Sequence, residues 1–373
     1  MESLVMAHLF GGIYQGKRVL VTGHTGFKGS WLIYWLSELG AEIYGIALEP
    51  PTTPNHISTL TIDYHSIILD ITRKDAFEKA VAEIRPEIIF HLAAQPLVRL
   101  SYEQPYETYL TNVMGTVHVL EAARHIDSIK AVVIITSDKC YDNREWIWGY
   151  RENEPMGGRD PYSSSKGCAE LITAAYRHSY FKPESLGTLH NTLIASARAG
   201  NVIGGGDWAL DRIVPDLVKA TSSNTKLMLR FPGATRPWQH VLEPLSGYLM
   251  IGWKLFLGQT AYARSWNFGP PLSSNLPVLE LVREAALIWP DVVYETGPES
   301  NLHEAGFLML DSSLAKKELL WDTVWDFKTT VRKTIGWYKD YYLYSGIKTG
   351  NDLCDFVNDA TENSIIWTAP QRD

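Results

Sequence analysis

The strongest constraint in this chain is the turn Gly23-His24-Thr25-Gly26-Phe27-Lys28-Gly29. It follows the compact apolar run KRVLVTG and leads directly into FKGSWLIYWLSELG, where apolar residues recur at helical spacing and Gly40 closes the segment. Three glycines at this spacing, between a strand and a helix, let the backbone turn sharply and approach a ligand closely. The first amides of the helix and its positive end then face outward with no side chain in the way, which suits a pyrophosphate.

The same rhythm continues. EIYGIAL, HSIILDI, EIIFHLAA, KAVVIIT and NTLIASARAGNVI read as further strands. RKDAFEKAVAEI, YETYLTNVMGTVHVLEAARHI and PYSSSKGCAELITAAYRHSY read as helices between them. The strands are nearly continuous in apolar residues, so helices should cover both faces of the sheet. The expected fold class is α/β, a doubly wound parallel sheet of Rossmann type with a smaller mixed α/β substrate-binding lobe. Beyond about residue 200 the pattern loosens into GGGDW, FPGATRPWQ and NFGPP. The expected division is 17–200 plus 241–270 for the dinucleotide-binding domain, 201–240 plus 271–345 for the lobe, and a tail at 346–373 with no periodicity that assigns it an element.

Bulk properties narrow the class. A 373-residue chain with 45% apolar residues can bury a large core, and a formal charge of -8 without a basic run argues against a nucleic-acid partner. No apolar stretch approaches the roughly 20 residues needed to span a bilayer. The start MESLVMAHLF lacks the basic residues and cleavage site of a secretory signal, so a cytoplasmic location is expected. Cys140, Cys168 and Cys354 have neither metal-ligand nor disulfide spacing and are expected as free thiols, with no metal site.

Around the glycine turn, Thr25, Phe27 and Lys28 are candidate cofactor contacts beside Gly23, Gly26 and Gly29. Glu49 lies 20 residues after Gly29, near the end of the second strand, where an acidic side chain accepts hydrogen bonds from an adenosine ribose; a solvated loop glutamate would read the same way. No Arg or Lys closely follows Glu49 to neutralise a 2′-phosphate, which favours NAD over NADP. Asp70 and Ile71 end the third strand and are placed near the adenine, while Leu92, Ala93, Ala94 and Gln95 end the fourth and offer a floor of mostly small residues.

Chemistry concentrates after the fifth strand. Tyr162 and Lys166 are four apart and share a helix face, where an ammonium beside the phenol favours its ionised form. Ser137, at a strand end, is placed to orient a substrate hydroxyl. These three residues suit proton and hydride transfer at a sugar alcohol, and Asp138 and Lys139 add an acid and a base that simple alcohol oxidation does not need. The extra pair points to dehydration, although a solvated ion pair is the plain alternative.

VTGHTGFKGSWL, HLAAQP, TSDKCYDN, NREWIWGYRENEP and DPYSSSKGCAEL together resemble the CDP-glucose 4,6-dehydratases, which are extended short-chain dehydrogenase/reductase enzymes, over about residues 17 to 340. TSDKCYDN is the most specific stretch, because related dTDP-glucose dehydratases show Asp-Glu where this chain has Asp138-Lys139. The resemblance implies conversion of CDP-glucose to CDP-4-dehydro-6-deoxyglucose and water on bound NAD. Tyr162 would take the C4 hydroxyl proton as hydride leaves C4, Lys139 the C5 proton, and Asp138 would protonate the departing 6-hydroxyl before hydride returns to C6.

It also implies that Asn201, Arg236, His240 and Asn267 surround the nucleotide diphosphate, where an arginine suits paired hydrogen bonds to phosphate. Trp208, Trp238 and Trp266 are candidates either for stacking or for the core, and His303 is undecided. A homodimer through a four-helix bundle is expected, formed by the helices around 105–125 and 161–180. The rival readings are a nucleotide-sugar 4-epimerase, a dehydratase for another nucleotide hexose and, remotely, a non-catalytic NAD-binding scaffold; Asp138-Lys139 argues against the epimerase.

Overall fold

The computed structural model describes residues 6–297 and 307–369, so His303 lies outside the described residues. Strand β1 (Arg18–Thr22) leads through the glycine turn into helix α1 (Phe27–Glu38), followed by β2 (Glu42–Ala47), β3 (His65–Ile68), α2 (Lys74–Ile84) and β4 (Ile88–His91). Next come α3 (Val98–Glu103), α4 (Pro105–Tyr109), α5 (Gly115–His125), β5 (Ala131–Ile135), α6 (Pro161–Ser179) and β6 (Leu193–Ala199).

The remainder comprises β7 (Val202–Ile203), α7 (Ile213–Ser222), β8 (Leu227–Leu229), β9 (Thr235–Pro237), β10 (Gln239–His240) and α8 (Leu242–Phe256). After these lie β11 (Ser265–Phe268), β12 (Asn275–Pro277), α9 (Val278–Ile288), β13 (Tyr294–Thr296), α10 (Phe327–Tyr344) and α11 (Thr349–Glu362).

Seven parallel strands form the main sheet in the order β11-β6-β5-β4-β1-β2-β3. The order reverses at β1, and the crevice beyond the strand ends at such a switch point is where ligands bind in open α/β sheets. Every residue of β4, β5 and β6 is buried, as expected of strands covered on both faces. Alternate residues feed opposite layers: Val19, Val21, Phe90 and Val133 pack with Trp31, Trp35 and Leu249, while Leu20, Ile89 and Val132 pack with Phe77, Val81 and Leu120. Beyond β6 the expected lobe appears as short strand pairs, β10 with β7, β12 with β9 and β13 with β8.

Two segments depart from the sequence reading. The long helix expected at 106–126 is interrupted by a π turn at Leu110–Met114. Within that turn the Asn112 amide accepts from Gln95 N at 2.8 Å and donates to Ser165 Oγ at 2.8 Å, linking the end of β4 to α6. The region from 346, read as a tail, contains α11, and beyond it Trp367 stacks on Phe10 at 5.1 Å and packs on Trp35. Among the described residues no helix is long and apolar enough to cross a membrane.

Candidate active site

The glycine turn has the shape that a dinucleotide needs. Gly23 adopts a φ of +77°, and a Cβ there would lie 2.7 Å from Ala93 N; a Cβ on Gly29 would lie 2.2 Å from Gly23 O. These two glycines are required by the fold itself. Gly26 is different, since a Cβ there would meet only Gly23 O, at an ordinary 3.4 Å. It is also the N-cap of α1 and contributes no side-chain cap, so the helix amides are left for a ligand. The cradle therefore fits a dinucleotide pyrophosphate.

Around it, Thr25 Oγ1 donates to Leu48 O at 2.9 Å, holding the turn against the end of β2, and Glu49 is exposed in the next position. Leu92, Ala93 and Ala94 are half-buried beyond β4, and Asp70 Oδ1 accepts from Thr72 N at 2.9 Å. Two expected cofactor contacts use their side chains inside the protein. Ile71 is buried against Gly115, and the Gln95 amide donates to Leu97 O at 3.1 Å and Thr108 Oγ1 at 2.9 Å. Both shape the wall through packing and hydrogen bonding.

Beyond β5, Ser137 caps a short 3-10 turn, Asp138–Cys140. Its Oγ donates to Asp138 Oδ1 at 2.9 Å and accepts from Lys139 N at 3.2 Å. Helix α6 starts where Asp160 accepts from Ser163 N at 2.9 Å and Pro161 presets the first turn, which delivers Tyr162 and Lys166 to the strand ends. The Tyr162 phenol lies within electrostatic reach of Ser137, and Lys166 Nζ stands 3.5 Å from Ile135 O. The structure thus brings Ser137, Asp138, Lys139, Tyr162 and Lys166 together.

Burial dominates the electrostatics here. It raises the Asp138 carboxyl above the usual carboxylate range against the pull of Lys139, Ser137 and Lys28, so a proton is held more readily. Tyr162 is pushed up to about 12 by burial, although Ser137 and the charge of Arg212 act in the opposite direction. Burial lowers Lys166 to about 8. Lys28 is likewise lowered to about 8, first by burial and then by Arg212, with Asp138 opposing. Sequence reasoning placed Lys28 only at the cofactor and did not find Arg212.

Beneath the centre, Glu170 on α6 accepts from Arg198 at 2.7 Å, Thr136 Oγ1 at 2.5 Å and Ser196 Oγ at 2.7 Å. This buried pair ties α6 to β5 and β6 and holds Tyr162 and Lys166 in place.

The substrate side needs two corrections. His240 is 0% exposed, with its ring against Trp31 and Trp325, and burial lowers it to about 3; it is a core residue. Asn267 is also 0% exposed: its amide donates to Tyr150 O at 2.7 Å and Asp311 O at 3.2 Å, and accepts from Tyr141 Oη at 2.8 Å. It locks the loop carrying Tyr141 and Tyr150 to β11. Asn201 and Arg236 are half-buried, and Arg236 donates to Thr235 O at 2.8 Å. Trp208, Trp238 and Trp266 donate to Tyr342 Oη, Leu276 O and Tyr262 O and belong to the packing.

Comparison with known proteins places the chain in a family. A family model described as GDP-mannose 4,6 dehydratase matches residues 20–251. The chain is 51% identical over 329 residues to the CDP-glucose 4,6-dehydratase of Salmonella typhimurium, covering 87% of this chain and 91% of the relative. Among solved structures, an epimerase of Methanothermobacter thermautotrophicus superimposes with a TM-score of 0.78 at 22% identity, covering 91% of this chain and 96% of the other. A dTDP-glucose 4,6-dehydratase of Streptomyces venezuelae, solved with NAD and TYD bound, gives a TM-score of 0.72 at 21% identity and covers 87% and 97% of the two chains. With its glycine cradle, its strand-end serine and its paired Tyr162 and Lys166, this chain belongs to the GDP-mannose 4,6 dehydratase family.

Proposed function

We infer that this chain converts CDP-glucose to CDP-4-dehydro-6-deoxyglucose and water. The observation that carries the reading is Asp138, a buried carboxyl inclined to keep its proton, on the turn it shares with Ser137 and Lys139 and within the electrostatic field of Tyr162. An epimerase has no step that uses such an acid. The relative at 51% identity is a CDP-glucose 4,6-dehydratase, which supports the choice of nucleotide.

Gly23, Gly26, Gly29 and the start of α1 would hold NAD, with Thr25, Lys28 and Glu49 around it. When bound, NAD supplies an acceptor for hydride from C4 and a donor of hydride to C6. The chain handles the protons. Tyr162 takes the proton of the C4 hydroxyl, with Ser137 fixing that oxygen by hydrogen bonding. The C4 ketone makes the C5 hydrogen acidic, and Lys139 removes it as a proton. Asp138 gives its proton to the C6 hydroxyl, which departs as water. Once C6 has regained hydride, Lys139 returns its proton to C5, and the proton held by Tyr162 makes good the one Asp138 gave up, so atoms balance: one water leaves, and within one sugar C4 is oxidised and C6 reduced by two electrons each.

Arg236 and Asn201 are the side chains we assign to the nucleotide diphosphate. We place the enzyme in the cytoplasm, which suits its free Cys140, Cys168 and Cys354. We also propose a homodimer formed through α4, α5 and α6. Tyr102, Tyr106, Met114 and Leu171 are exposed on this side of the fold, and Tyr109 Oη is bonded to Ser164 Oγ at 2.6 Å between the helices. Light scattering at micromolar concentration should give twice the chain mass, and a monomer would contradict the dimer.

The decisive assay is mass spectrometry after incubation with CDP-glucose and catalytic NAD. A product lighter by one water supports the reading, whereas an unchanged mass with inverted C4 identifies an epimerase.

A further inference from the structure

The Asp138–Cys140 turn is held at both ends by one buried pair. At its front, Thr136 N donates to Ala197 O at 2.9 Å and Thr136 Oγ1 donates to Glu170 Oε1 at 2.5 Å. At its back, Tyr141 Oη accepts from Arg198 Nη1 at 2.5 Å, and the guanidinium lies over the Tyr141 ring, 5.0 Å from its centroid. The other arm of Arg198 donates to Glu170 Oε2 at 2.7 Å. Glu170 is one turn beyond Lys166 on α6. The turn carrying Asp138 and Lys139 and the helix carrying Tyr162 and Lys166 are therefore referenced to the same Glu170–Arg198 pair.

Tyr141 has little freedom. It is 1% exposed, its one hydroxyl proton goes to Asn267 Oδ1 on β11 at 2.8 Å, and its ring stacks on Tyr150 at 5.1 Å. Around it, Gly157 N donates to Cys140 O at 2.8 Å and Asp142 N to Pro155 O at 3.0 Å, so the loop at 142–157 leaves and returns beside the turn.

Asp138 meets the end of the strand that bears Arg198. A Cβ on Gly200 would lie 3.1 Å from Asp138 Oδ2, while Ser137 Oγ holds Oδ1 at 2.9 Å. Any slip of the turn along β6 moves this carboxyl. Helix α6 has anchors of its own, since Tyr162 N donates to Ser101 Oγ at 3.1 Å and Asn112 Nδ2 to Ser165 Oγ at 2.8 Å. The turn can thus lose its register while Tyr162 and Lys166 keep theirs.

We propose that Thr136 and Tyr141 are positioning residues for the elimination half of the reaction, fixing the Asp138–Lys139 turn against α6 so that loss of water keeps step with oxidation at C4. This rests on the reading of Asp138 as the acid and Lys139 as the base. The test takes the full-length parent, Tyr141→Phe, Thr136→Val and Thr136→Ser through single turnovers with CDP-glucose and NAD, reading bound NADH and dehydrated product separately. Beside it, the alkylation rate of Cys140, which is 0% exposed within the turn, is followed by peptide mapping.

Tyr141→Phe should form NADH within about threefold of the parental rate and product about 30-fold more slowly, so that bound NADH accumulates. Its Cys140 should be alkylated about tenfold faster. Thr136→Val should show the same split with product about tenfold slower, and Thr136→Ser, which keeps the hydroxyl, should return to the parent. Equal losses of NADH and product formation in Tyr141→Phe and Thr136→Val overturn the positioning role, as does parental Cys140 alkylation in both. If Tyr141→Phe does not fold, the Thr136 variants decide, and an unsplit Thr136→Val overturns the proposal. A parent that yields no dehydrated product brings down the functional reading together with this proposal. An active parent whose variants all keep its ratio of NADH to product formation brings down this proposal alone.

Discussion

Lys166 and Glu170 sit one turn apart on α6, with 7% and 3% of their surfaces exposed, yet they are treated very differently by the fold. Glu170 is bonded to Arg198, Thr136 and Ser196, and these partners lower its carboxyl despite burial. Lys166 has one long contact, to Ile135 O, and burial moves it the opposite way from a stabilised charge. Equal burial with unequal pairing separates the two jobs: the lower turn secures the helix, and the upper turn keeps costly groups available for a substrate.

The largest effect that would sharpen this contrast is in the upper turn. Tyr162→Phe should cost about 1,000-fold in turnover with the fold intact, read from product formation beside a circular dichroism melt. Turnover within tenfold of the parent would break the contrast. In the lower turn, Glu170→Ala leaves the Arg198 charge buried and alone, and should destabilise the chain by about 3–5 kcal/mol in denaturant titration. If Glu170→Ala unfolds like the parent, the pair does not secure α6.

Lys166→Met should do the reverse of Glu170→Ala, with a gain on the order of 2 kcal/mol at pH 7 alongside lost activity. The folded value, about 8, lies below the ordinary 10.5, so the folded chain binds fewer protons between those limits. The cost of the buried charge is full below pH 8 and fades toward 10.5, so the variant's advantage should shrink over that window. A loss that is the same at every pH would show Lys166 to be a packing residue.

The smallest predicted effect lies away from the centre. Glu243 is fully buried, accepts from Trp325 N at 2.8 Å and Val324 N, and is raised to about 8 by burial. Its folded value exceeds the ordinary 4.5, so its contribution is complete below pH 4.5 and is lost as pH rises through 8. Glu243→Gln should flatten that decline, by about 1 kcal/mol at pH 7. Parallel parent and variant curves in denaturant titrations across this range would remove Glu243 from the account.

The strand ends and the upper turn of α6 were legible because their signals are local. A glycine triplet between strand and helix, nearly continuous apolar strands, and a tyrosine four residues before a lysine each lie within one segment. Helix α11 was legible too and went unread: Leu353, Phe356, Val357 and Ala360 recur at helical spacing and are all buried. The place of Tyr141 was not, since it depends on Arg198, 57 residues further on, and on Asn267, 126 residues further on. His240 and Asn267 misled because a polar residue near a strand end reads alike whether it faces a cleft or a neighbouring loop. Asn267 turned out to be fully occupied by Tyr141, Tyr150 and Asp311.

The central claim is that the sugar is oxidised at C4 only so that water can be lost across C5 and C6, with the C4 hydrogen restored to the same molecule. CDP-glucose carrying deuterium at C4 tests it in one experiment, with the product read by NMR and mass spectrometry. The account predicts deuterium on the new C6 methyl group; deuterium retained at C4, or washed out to solvent, would contradict it.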